Sequence, residues 1–123
     1  MSTPTITRED FDEYSLIKDA DCDQVVEKDV MQGPCRITDI HAVIGAAIAY
    51  VKLYDDRNPT LGTTVPKYII RLTTSFNGPI MLPGKVLSFA SGLSWACVAE
   101  AGTAGTTAPS QTVALTVTCK EGL

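Results

Sequence analysis

Residues 112–119 read TVALTVTC, and this octapeptide decides the fold. Val113, Leu115, Val117 and Cys119 recur at every second position, with Thr112, Ala114, Thr116 and Thr118 between them. A strand sends alternate side chains to opposite faces, so the spacing predicts a strand with one face in a core and the other turned out. Its β-branched Val and Thr residues favour the same conformation, because they are stiff at χ1 and crowd a helix.

The same period recurs upstream. In residues 93–100, Leu93, Trp95, Cys97 and Ala99 alternate with Ser94, Ala96, Val98 and Glu100. In residues 68–73, Tyr68, Ile70 and Leu72 alternate with Ile69, Arg71 and Thr73. Short strands over 79–82 and 85–89 flank the turn pair Pro83-Gly84. Residues 46–54 admit two readings. Ile40, Val43, Ile44, Ala47 and Val51 fit a helical stripe, whereas Ala49, Val51 and Leu53 alternate with Tyr50, Lys52 and Tyr54. Gly45 and the β-branched content favour the strand. Residues 35–43, entered from Gly33-Pro34, form another. Leu16-Ile17 and Val25-Val26 fit short strands around the turn-forming run at 19–23.

Residues 1–13 lack periodicity, and Pro4 opposes an early helix, so they read as an extended acidic arm before a single domain over 14–123. About eight short strands with Gly, Pro, Asn and Asp turns predict an all-β, antiparallel β-sandwich, jelly-roll-like. Val113, Leu115, Val117, Leu93, Trp95, Ile70, Leu72, Val51 and Leu53 are the expected core.

Composition fits this picture. At 123 residues, 45% apolar and 20% charged, the chain is sized for one globular domain. The apolar run at 42–51 is too short to cross a bilayer, so no membrane partner is expected. The first residues, MSTPTITREDFDEY, carry no apolar core of a secretory signal. The net charge of −4 gives no global support for nucleic-acid binding. The charge is uneven. Residues 1–30 hold nine carboxylates against Arg8, Lys18 and Lys28, whereas residues 31–123 carry a net charge of +2. This acidic segment fits either a solvated flank or an arm that reaches a basic patch on a neighbouring subunit.

Catalytic chemistry finds little purchase. His41 is the one histidine, and Thr38-Asp39-Ile40-His41-Ala42 contains no nucleophile elbow. GTTVP and GTTAP lack the lysine and helix of a phosphate loop. No catalytic residue, metal ligand or cofactor site is therefore expected, and the chain reads as no enzyme. Cys22, Cys35, Cys97 and Cys119 form no C-x-x-C pair. Thiols are the expectation, one bridge the alternative, and zinc on Cys22, Cys35 and His41 the remotest reading. Tyr50, Tyr54 and Tyr68 are the one loose aromatic group that a sugar-binding, lectin-like module would need. The strings LGTTVP (61–66) and AGTTAP (104–109) are near copies, read as two similar loops at one end of the sandwich.

The strings YVKLYD (50–55), GTTVP, MLPGKVLSF (81–89), GLSWA (92–96) and AGTAGTTAP (101–109) together resemble small β-rich virion proteins of tailed bacteriophages, of the capsid decoration or cement type. The resemblance spans roughly residues 47–117. It implies a structural protein without cofactor that is assembled in the host cytoplasm. Such a protein binds the outer surface of the shell, joins neighbouring major capsid protein subunits and commonly forms a homotrimer. A neck or tail component is the alternative within the virion.

Overall fold

The computed structural model describes residues 6–82 and 86–122. The described residues form ten strands, two more than the spacing suggested. They are β1 (Ile6–Phe11), β2 (Tyr14–Asp19), β3 (Glu27–Met31), β4 (Cys35–Ile44), β5 (Ala49–Tyr54), β6 (Tyr68–Leu72), β7 (Asn77–Pro79), β8 (Leu87–Phe89), β9 (Leu93–Val98) and β10 (Val113–Glu121). The described residues contain no helix.

Two antiparallel sheets stack face to face. The first runs β1-β2-β10-β4-β7, with β8 also on β4; the second runs β3-β9-β5-β6. The chain changes sheet after β2, β3, β4, β6, β8 and β9, and the two packed sheets make the expected sandwich. The inner faces meet in one core that includes Ile17, Ile37, Val51, Leu53, Phe89, Leu93, Trp95, Val113, Leu115 and Val117. Each fully buried aliphatic side chain there contributes roughly 2 kcal/mol of transfer free energy. Every expected core residue is buried except Ile70, which is half-buried and packs against the core's rim.

The helical stripe at 40–51 is divided at Gly45, where the chain crosses between sheets. Ser75 and Ala47 both donate their N–H to the Gly45 carbonyl, and a Cβ at Gly45 would sit 2.6 Å from the Gln111 side chain. Ile40, Ala42 and Ile44 then point inward from β4, and Ala49, Val51 and Leu53 from β5, while Val43 is exposed. Period two wins because it buries both strands, whereas a helix would bury one stripe.

The expected arm is extended, but its described part does not leave the body. Ile6–Phe11 pairs along the whole of β2, from Ile6 opposite Asp19 to Phe11 opposite Tyr14. Arg8 reaches across to the Val30 carbonyl of β3. The missing periodicity is that of an edge strand, where five of six residues are exposed. The strand expected at Val25-Val26 starts two residues later, at Glu27. The Pro83-Gly84 turn and residues 1–5 lie outside the described residues.

Candidate functional site

The two outer faces of the sandwich differ. On the β5–β9 sheet, Lys52, Tyr54, Ser94, Ala96 and Val98 point away from the core, yet all five are buried. The β9–β10 connection folds back over Lys52, and the β5–β6 connection meets Ser94, whose hydroxyl donates to the Asp56 carbonyl. Lys52 Nζ donates to the carbonyls of Gly102 and Gly105, the Ala99 N–H to the Thr107 carbonyl, and the Thr107 N–H to Glu100. Burial pushes the Lys52 ammonium below its ordinary pKa, and the Glu100 charge opposes that shift. Gly62 sits at φ 86°, and a Cβ there would meet the Thr106 methyl at 2.9 Å. The two near-copied loops therefore touch, but not as loops of one end. β5 ends at Tyr54 opposite Ser94 and β9 ends at Val98 opposite Tyr50, so their connections leave opposite ends of the sheet and meet over its outer face.

Among the described residues, the outer face of the β1-β2-β10-β4 sheet has no such roof. Register places His41, Thr116, Lys18 and Thr7 in one row, and Asp39, Thr118, Leu16 and Glu9 in the next. Val43 and Ala114 adjoin the first row. Beyond the second, Lys120 lies opposite Tyr14, and Tyr14 opposite Phe11. The Thr and Ala side chains of β10 are half-buried, so the middle of the face is low in relief, with charges scattered around it. Lys120 Nζ is 3.0 Å from Glu13 and 5.4 Å from the Tyr14 ring centre. Its bond to Glu13 raises the ammonium pKa. A broad, flat, mixed surface of this kind suits contact with another protein surface better than capture of a small molecule, which needs concavity.

His41 stands exposed on this face, while Cys22 and Cys35 point into the core, so the three do not converge on a metal. No group of three metal-ligating side chains occurs among the described residues. All four cysteines are free and buried. Burial is the main cause that raises the thiol pKa values of Cys22, Cys35 and Cys119, Cys35 to about 11 and Cys119 to about 12, and the bond to the Cys97 thiol adds to the rise at Cys22. Thiols so placed act as small apolar groups.

The tyrosines do not form one platform. Tyr54 is fully buried with its hydroxyl unpartnered, Tyr50 is half-buried on the same side, and Tyr68 lies on the inner side, edge-on to Phe89. A polar hollow of about 430 Å³ lies between Arg8 and Glu121, but Arg8 is already bound to Asp10 and the Val30 carbonyl. The class these features define is a two-sheet β-sandwich with one roofed and one open outer face. No protein-family profile matches the chain, and no curated protein or solved structure is similar to it.

Proposed function

We propose that this chain is a structural component of a tailed-phage virion, a decoration protein that binds the exterior of the shell and joins neighbouring major capsid subunits. The observation that carries the reading is the one-sided sandwich. One outer face is roofed by its own loops, and the other is left flat, open and rich in short side chains, as docking onto an extended surface requires. The decoration-like strings over 47–117 support the choice of a virion among surfaces, and most of them belong to the roofed sheet and the loops that cover it. Repetition as a homotrimer would multiply a weak single contact into stable decoration.

The test is electron cryo-microscopy of particles incubated with the purified chain. The expected result is density on the shell exterior, with the β1-β2-β10-β4 face toward the major capsid protein. Density at the neck or tail alone would keep the virion role and reject decoration. A chain that never joins particles would reject both.

A further inference from the structure

The two sides of the sandwich carry opposite charge and end in open strand edges. Among the described residues, β1 on one side is bonded only to β2, and residues 6–30 hold nine carboxylates against three basic side chains. On the other side β6 is bonded, among the described residues, only to β5, and Lys67 and Arg71 are exposed there with no acid in residues 67–72. β6 also carries the exposed Ile69. Beside it runs an apolar groove of about 250 Å³, lined by Tyr68, Ile70, Ile80, Leu82 and Leu87, with Met81 94% exposed at its lip. An uncovered apolar edge of this kind pairs readily with another strand.

We propose that the β6 edge receives the β1 edge of a second copy of this chain, head to tail. The sequences match in antiparallel register. With Glu9 set opposite Arg71 of the second copy, Phe11 falls opposite Ile69 and Thr7 opposite Thr73. All six of these side chains are exposed in the single chain. The alternation agrees as well: Thr7, Glu9 and Phe11 share the outward face of β1, and Ile69 and Arg71 that of β6. Opposite charges and an apolar pair thus face each other with the two-residue period of a sheet. Because the two edges differ, the contact is heterologous and closes into a ring or extends as a filament. A three-membered ring is the form the decoration reading needs, and the purpose of the contact rests on that reading, although the edges themselves do not.

Sedimentation of the full chain over a wide concentration range should show species larger than one chain. Arg71→Glu and Glu9→Arg should each weaken association about tenfold or more while leaving circular dichroism unchanged. The double variant E9R/R71E restores opposite charges and should recover association. A chain that stays monomeric at every concentration would overturn the proposal, as would single variants that assemble like the parent or a double variant that stays weak. Particle binding is scored separately. A self-associating chain that ignores particles sinks only the virion reading, and a monomer that decorates them sinks only this one.

Discussion

Trp95 is the largest fully buried side chain, and its indole N–H donates to Asp19 Oδ2 at 2.9 Å, across the gap between the sheets. Asp19 Oδ1 also accepts the Asp21 N–H at 3.2 Å, so one buried carboxylate fixes both the layer contact and the turn after β2. Removing it strands the indole donor in an apolar interior, where an unpaired group costs its full desolvation penalty. Asp19→Ala should therefore cost about 2–3 kcal/mol, and Asp19→Asn, which keeps an acceptor, about 1 kcal/mol. Urea unfolding followed by emission reads this directly, because Trp95 is the single tryptophan. An Asp19→Ala protein as stable as the parent would refute the role. The sequence placed Trp95 in the core because its neighbours alternate. Asp19 looked like a solvated turn residue among other aspartates, since nothing in linear spacing ties it to a partner 76 residues away.

Between elements, Asp55 does for the end of β5 what a cap does for a helix. Its carboxylate accepts the N–H groups of Ala90 at 3.1 Å and Ser91 at 2.8 Å, which holds the turn before β9. Burial alone would raise its pKa, but bonds from Ser91, Ala90 and Gly92 together with the Lys67 charge outweigh it and hold the carboxyl below its ordinary value. A carboxyl depressed by folding stabilises the native state above its unfolded pKa of about 3.9, and that stabilisation is lost as pH falls through the folded value. Asp55→Asn should thus cost about 1 kcal/mol at neutral pH, discounted for partial exposure, with the difference from the parent shrinking below about pH 4. Urea titrations of both proteins over acid pH check it, and a gap that stays constant with pH would reject the ionic contribution. Strands with clean alternation, β6, β9 and β10, were legible because burial imprints period two. β1 was not, since an edge strand with exposed side chains leaves no apolar trace. The outward residues of β9 looked solvent-facing because nothing in linear spacing shows the connection that follows β9 folding back over its sheet.

For the whole molecule, the distinction that matters is between a flat face and two edges. They share Thr7 and Glu9 on β1, but Arg71 on one side and Thr116 and His41 on the other separate them by mutation. The face is centred on β10 and β4, the edges lie at β1 and β6, and Thr116 and His41 sit one strand or more from either edge. Circular dichroism and urea midpoints should hardly change on Thr116→Arg or His41→Glu, because both side chains point away from the core. An added charge in the middle of a surface matched to a shell is costly there, since it must be desolvated without a partner. Either variant should then bind particles about tenfold or more weakly while sedimenting like the parent. Arg71→Glu should lower self-association first and particle binding only through lost multivalency. Quantitative particle pull-down beside sedimentation separates these outcomes. Open-face variants that decorate particles as well as the parent would move the shell contact off this sheet, leaving the roofed face, where the two Gly-Thr-Thr loops meet, as the surface to mutate next.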